Sequence, residues 1–341
     1  MKIGNYNINN DSPVFIIAEL SANHNGSLET ALKTVEAAKR AGADCIKLQT
    51  YTADTITIDS DKEDFKIKGT IWEGKNLYNL YQEAYTPWEW HKEIMEAAKK
   101  EGLLCFSSPF DKTAVDFLEG LDVPAYKIAS FEITDIPLIE YTASKGKPII
   151  ISTGIAEKED IELALDACIR MGNKDIALLK CTSSYPAPIE EANMVMVKDL
   201  ADRYGVISGL SDHTMGSTVP VVATCFGAKI IEKHFILDKS IGGPDASFSM
   251  DEKEFTDMVT AVREAEKAMG KVDYSLTEKQ KKGRDFSRSL YVVEDIKMGE
   301  VITKKNVRSI RPGFGMHPKY LKDFLGEKAD KNWIKGDRFT K

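Results

Sequence analysis

The chain is short of the features that would mark a disulfide-stapled, membrane-spanning or nucleic-acid-binding protein. Among 341 residues there are five cysteines, Cys45, Cys105, Cys168, Cys181 and Cys225. No two are spaced as CxxC, which argues against a redox pair or a structural zinc site, and buried free thiols are expected instead. Cys181 ends an apolar run in KCTSSYP, where packing is favoured over nucleophilic catalysis. No apolar run approaches the roughly 18 residues of a membrane helix. The amino terminus, MKIGNYNINNDSP, lacks the apolar segment of a secretory signal, so a cytoplasmic location is expected. The net charge of −7 is spread along the chain without a basic stripe, so neither nucleic acid nor membrane is an expected partner. Internal repeats and low-complexity tracts are absent too.

What the sequence does contain is a series of eight short apolar runs. They are Val14–Glu19, Asp44–Gln49, Leu103–Ser108, Ala125–Ser130, Pro148–Thr153, Ile176–Thr182, Val206–Ser211 and Lys229–His234. Stretches with helical spacing lie between them, among them Leu28–Arg40, Pro87–Lys100, Lys158–Met171 and Met215–Phe226. Strands buried on both faces read as near-continuous apolar runs, and eight of them alternating with helices predict an α/β (β/α)₈ TIM barrel. The barrel is expected over residues 1–270, closed by a last helix at Asp251–Met269. Residues 271–285 are charged and poor in apolar side chains, and read as a linker with one short helix. From 286 to 341 the texture changes to short β-like runs, SLYVVED and VITKKNVRSIRP. A small, mainly β module of about 55 residues fits, near the lower size limit for independent folding.

Nearly every apolar run ends in residues suited to phosphate, a carbonyl or a metal, on the face where such barrels carry their chemistry. Lys47 and Gln49 leave the second run, Lys127, Ser130 and Glu132 the fourth, and Ser152 and Thr153 the fifth. Two ammonium groups with several hydroxyls at one mouth make an anion site. A lone lysine is usually a solvated surface charge, but both of these lie inside apolar runs, where an unpaired ammonium is costly. His213 follows the seventh run and His234 ends the eighth. Imidazoles on adjacent strands suit Mn²⁺, Fe²⁺, Co²⁺ or Zn²⁺ and leave positions open to water and substrate. Glu19 and Asp245 are acidic candidates for a third ligand or for proton transfer. His91, in WEWHKEIMEAA, is expected to be structural, whereas His24, in NHNG, is open to either role.

Ten ordered strings, AELSANHNG, IKLQTY, FSSPF, YKIASFE, STG, KCTSSYP, GLSDHT, EKHF, GGPD and RPGFG, resemble the sialic acid synthase family over residues 3 to 338. That family condenses phosphoenolpyruvate with an amino sugar to give a nonulosonic acid. Within it, DSDKEDF at Asp59–Phe65, TIWEGKNLYNLYQEA and the FSSPF, KIASFE and STGIA spellings are most similar to the pseudaminic acid synthase branch. The resemblance implies that Lys47, Ser108, Lys127, Ser130, Ser152, Ser183 and Ser211 hold phosphoenolpyruvate. It implies that His213 and His234 hold a divalent ion, Mn²⁺ first and Co²⁺ or Mg²⁺ otherwise. Gln49, Glu132, Tyr185 and Asp245 match positions facing the sugar, and Glu19 lies near the reacting centre. Ser183 departs from the Asn common in this family, and Phe131 replaces a small residue. The carboxy-terminal module resembles an antifreeze-like (SAF) domain, whose RPG arginine, here Arg311, touches the sugar in a domain-swapped homodimer.

The expected chemistry is an aldol-like condensation with C–O cleavage of phosphoenolpyruvate, in which Glu19, Lys47, Lys127 and Asp245 are the catalytic candidates. The expected sugar is 2,4-diacetamido-2,4,6-trideoxy-β-L-altropyranose in its open-chain form. N-acetylneuraminate and legionaminic acid synthases share the chemistry and differ in the sugar. A Schiff-base aldolase using Lys127 or Lys47 is the rival of a different class.

Overall fold

The computed structural model describes residues 1–340, and the chain divides into two compact units, Met1–Gly270 and Lys271–Lys341. In the first unit the eight apolar runs form parallel strands. These are β1 (Phe15–Glu19), β2 (Cys45–Thr50), β3 (Leu104–Pro109), β4 (Tyr126–Ile128), β5 (Ile149–Ser152), β6 (Ile176–Cys181), β7 (Ile207–Asp212) and β8 (Ile230–His234). They close into a barrel in which β8 pairs with β1. Every residue of β1, β5 and β8 is buried, because helices cover the outer face and side chains fill the inside.

The helices start where capping chemistry allows it. Ser27 accepts a hydrogen bond from the Thr30 amide ahead of the helix Leu28–Arg40, which buries Ala31, Val35 and Ala38. The last barrel helix, Glu252–Met269, opens on a capping box between Asp251 and Glu254. Ser130, the end of the fourth apolar run, lies beyond β4 in a 3₁₀ turn, Ser130–Glu132. An antiparallel pair, Lys2–Ile3 with Tyr6–Asn7, precedes the barrel. Two-residue strands carry no periodicity, so nothing in the sequence signals them. Between β2 and β3 the chain makes a long excursion containing the helices Ala53–Ile56, Leu77–Ala84 and His91–Lys100.

Register sets the working face. Side chains two residues apart on a strand point the same way. His234 stands opposite Glu19 and Glu19 opposite Lys47. Ser211 stands between Cys181 on one side and Glu232 on the other. An outward-facing clamp joins β7 to β8 at the same level: Lys233 Nζ pairs with Asp212 Oδ2 at 2.6 Å and donates to the Thr214 carbonyl.

In the second unit, the helix Glu278–Gly283 occupies the charged linker. β9 (Ser289–Val292) then pairs antiparallel with β10 (Val307–Ile310). Leu290, Val292, Ile302, Val307, Trp333 and Phe339 form its core. Among the described residues, no helix is long and apolar enough to cross a membrane.

Candidate active site

A cavity of about 530 Å³ opens at the carboxyl ends of the strands. Lys47, Gln49, Lys127, Ser130, Glu132, Ser152, Ser183, Tyr185, Ser211, His213, His234 and Asp245 all line it. Its floor is a buried charge network. Lys47 Nζ lies 2.6 Å from Glu19 Oε2 and 3.6 Å from Glu232 Oε1, and donates to Ser108 Oγ at 3.3 Å. Lys127 Nζ lies 3.8 Å from the same Glu232 oxygen and donates to Ser152 Oγ at 2.6 Å. Burial alone would discharge Lys47, but Glu19 and Glu232 more than offset it and hold the ammonium above its ordinary range. At Lys127 burial wins and the value falls. Burial pushes Glu19 up to about 7 against the pull of Lys47. Two cations therefore meet two carboxylates in a dry site, one of which titrates near neutrality. Such a site suits an anion that must also exchange a proton.

On the β7 and β8 side the rings of His213 and His234 lie 5.3 Å apart, centre to centre. His213 Nδ1 donates to the Thr182 carbonyl at 3.0 Å, which leaves its Nε2 as the nitrogen for an ion. Burial holds His234 far below its ordinary range, hence neutral, and its Nδ1 is buried without a partner. At His213 burial is more than offset by Cys181, which raises its pKa, so an ion would displace a proton there. With that ring and the orphaned Nδ1 of neutral His234 on one rim, the pair fits a divalent metal ion. The sequence left Glu19 and Asp245 open as a third ligand, and the geometry does not supply one. Among the described residues no three His, Cys, Asp or Glu side chains are grouped to hold an ion. Glu19 is taken up by Lys47 and by Gln49 Nε2 at 2.9 Å. Asp245 accepts from Ser21 Oγ at 2.5 Å, with the nearer His234 nitrogen at 3.8 Å.

The serines form a cradle around Gly154. Its amide donates to Ser130 Oγ at 3.1 Å, and a Cβ at this position would overlap Ser183 Oγ and lie 2.7 Å from Ser130 Oγ. Only glycine lets the two hydroxyls approach so closely. A Gly154→Ala variant is expected to fold and to raise the KM for phosphoenolpyruvate by about tenfold, the order of one displaced hydrogen-bond donor. Steady-state phosphate release checks this, and an unchanged KM would separate the cradle from substrate binding.

Aromatic side chains form the opposite wall. Tyr185 packs 4.5 Å from His213 and 5.0 Å from Phe248, and Trp72 packs 5.5 Å from Tyr185 while donating to the Pro244 carbonyl at 3.0 Å. Glu132 faces the cavity with Oε2 unpartnered, and burial raises it from about 4.5 to about 7. Between those values the folded protein keeps a proton that the unfolded chain has lost. The stabilising contribution of this group is therefore complete below about 4.5 and is lost as pH rises through 7. Glu132→Gln removes that slope. Without ligand, the variant is expected to match wild type near pH 4 and to exceed it at pH 8 by at most about 3 kcal/mol. Urea titrations at both pH values test this, and parallel behaviour of the two proteins would contradict it.

Glu19 and Ser108 stand behind the cavity wall and reach it through Lys47. Arg311 lies in the second unit, exposed, just past β10. His91 is structural: it is buried and bonded to Thr50 Oγ1 at 2.8 Å. His24 is buried too, bonded to Thr86 Oγ1 at 3.2 Å and to the Gly26 amide at 3.1 Å. Four cysteines are buried, as expected, but Cys225 is exposed at the end of the helix Thr218–Cys225. Sequence reasoning missed Glu232, Gly154, Ser21 and Trp72. Glu232 had a signal, since it lies two residues before His234 on the same strand and must share its inward face.

Comparison with known proteins shows the family. Residues 34–274 match the model of the NeuB family, and residues 287–340 match that of the SAF domain. The pseudaminic acid synthase of Campylobacter jejuni is 52% identical, with 99% of this chain and 98% of that protein covered. The pseudaminic acid synthase of Helicobacter pylori is 49% identical, with 94% of each covered. A crystal structure of a sialic acid synthetase from Leptospira borgpetersenii superposes with a TM-score of 0.73 at 32% identity, covering 83% of this chain and 94% of that one. Matched by the NeuB family model over residues 34–274 and 52% identical to a pseudaminic acid synthase over 99% of its length, the chain belongs to the NeuB family.

Proposed function

We propose that this protein is a pseudaminic acid synthase, condensing phosphoenolpyruvate with open-chain 2,4-diacetamido-2,4,6-trideoxy-β-L-altropyranose to give pseudaminic acid and phosphate. The observation that carries the reading is a single cavity holding both a cationic, hydroxyl-rich cradle and an imidazole pair. The sugar assignment draws on the 52% identity to a pseudaminic acid synthase, against 32% to a sialic acid synthetase.

Lys47, Lys127 and the hydroxyls of Ser130, Ser152, Ser183 and Ser211 hold the phosphate and carboxylate of phosphoenolpyruvate and bring its C3 to the aldehyde. His213 and His234 would hold a divalent ion, Mn²⁺ first and Co²⁺ or Mg²⁺ otherwise, which would supply Lewis acidity toward the sugar oxygen. The new bond joins C3 of phosphoenolpyruvate to C1 of the sugar. Water adds at C2, and the tetrahedral carbon then expels phosphate by C–O cleavage. Glu19, raised to about 7 by burial and reaching the cavity only through Lys47, is suited to hold that ammonium in place and to relay a proton through it between the water and the aldehyde oxygen. Asp245, tied to Ser21, orients the sugar. A homodimer and a cytoplasmic location complete the proposal.

Phosphoenolpyruvate labelled with ¹⁸O at the bridging oxygen tests the bond that breaks. The label is expected in released phosphate, and label retained in the sugar acid would overturn the mechanism. The lowered Lys127 is the one feature that favours a Schiff-base aldolase instead. Its ammonium is already engaged by Ser152 Oγ and the Ile128 carbonyl, so borohydride with pyruvate is expected to trap no adduct.

A further inference from the structure

The cavity walls differ in chemistry according to the part of the chain that supplies them. Barrel strands and their immediate ends bring the lysines, serines, histidines and carboxylates. Besides Thr70 and Trp72, the excursion between β2 and β3 brings Ile56, Ile67, Leu77, Leu80 and Tyr81, joined by Phe110 just after β3. Of these last six side chains only Tyr81 carries a group able to hydrogen-bond. Leu80 is buried and the other five are half-buried. Tyr51 backs the patch, its ring edge-on to Tyr81 at 5.6 Å and to Phe110 at 5.1 Å. Ile67 is fixed by a backbone bond to the Lys75 carbonyl at 3.0 Å, beside the bridge between Lys66 and Asn76.

Neither phosphoenolpyruvate nor the aldehyde end of a sugar has a use for this surface. We propose that the apolar wall of Ile67, Leu77, Leu80 and Phe110 is the specificity element that selects a sugar whose far end is deoxygenated and acylated over one that is polyhydroxylated. The inference rests on the synthase reading above and names the wall that enforces its substrate class. A hydroxyl pressed against these side chains gives up its bonds to water and gains none, whereas a methyl group there buries apolar surface. Because an apolar pocket rejects an added hydroxyl only weakly, the wall accounts for a preference of about 10²-fold.

The test compares kcat/KM for 2,4-diacetamido-2,4,6-trideoxy-altropyranose with that for its 6-hydroxy counterpart, in wild type, Ile67→Thr and Leu77→Asn. Wild type is expected to favour the deoxy sugar by about 10²-fold, and each variant to lose about tenfold of that preference. The KM for phosphoenolpyruvate and the far-ultraviolet circular dichroism spectrum stay as in wild type. Should Leu77→Asn fail to fold, Ile67→Thr decides alone, since its side chain lies on a loop and not in a helix. An unchanged preference in the folded variants, or equal use of both sugars by wild type, overturns the inference. Turnover of neither sugar by wild type removes the synthase reading itself and this inference with it.

Discussion

In a Lys47→Met variant, phosphate release is expected to fall by about 10³-fold, and the fold to lose about 3–5 kcal/mol. Both effects follow from the same geometry. Lys47 is buried with Glu19 Oε2 at 2.6 Å and Glu232 Oε1 at 3.6 Å, so its removal leaves two carboxylates in a dry barrel without their nearest cation. The lysine also lines the cavity in which the phosphoenolpyruvate anion is held. A second substitution separates the two roles. Adding Glu232→Gln removes one stranded charge and is expected to recover part of the stability, because a buried pair removed as a whole costs less than a broken one. Activity is not expected to recover, since the anion cradle still lacks its ammonium. Denaturant unfolding and phosphate release on the single and double variants check this. Recovery of turnover in the double variant would reduce Lys47 to a structural counter-ion.

Replacing either His213 or His234 by alanine is expected to weaken Mn²⁺ binding and to lower turnover by about 10³-fold, the several kcal/mol that a Lewis acid contributes. His213 and His234 are the imidazoles of the cavity lining, one donor each, and among the described residues no acidic side chain completes a set of three, so the loss of one ring removes half of the protein's hold on the ion. Paramagnetic resonance of free Mn²⁺ during titration reads affinity without reference to activity. Chelation of wild type should abolish turnover, and Mn²⁺ should restore it. Full activity after exhaustive chelation, or an Mn²⁺ affinity indifferent to both substitutions, would contradict the assignment.

The barrel was legible because closure forces each strand to be buried on both faces, and the runs carry that constraint residue by residue. Lys47 and Lys127 stood out as costly side chains in apolar runs and His213 and His234 as imidazoles at adjacent strand ends, and all four line the cavity. Glu232 escaped because IIEKH reads as an apolar run ending in histidine, although alternation puts Glu232 and His234 on one face. Gly154 escaped for a different reason. Its importance lies in the closeness of Ser130 and Ser183, which come from separate strand ends and meet only in three dimensions. The same holds for Trp72, Ile67 and Leu77, which reach the cavity from a long excursion whose path no local periodicity encodes. The hydrogen bonds that occupy His24 and His91 were equally hidden, since Thr86 and Thr50 are distant in sequence.

The central claim is tested most directly by phosphate release from phosphoenolpyruvate by the Mn²⁺-loaded protein, run in parallel with 2,4-diacetamido-2,4,6-trideoxy-altropyranose, N-acetylmannosamine and the legionaminic acid precursor. A pseudaminic acid synthase releases phosphate only with the altrose sugar, in step with formation of the nonulosonic acid. Preference for either of the other sugars would contradict the specificity assigned here while leaving the condensation chemistry in place, and no release with any of the three would contradict the synthase function itself.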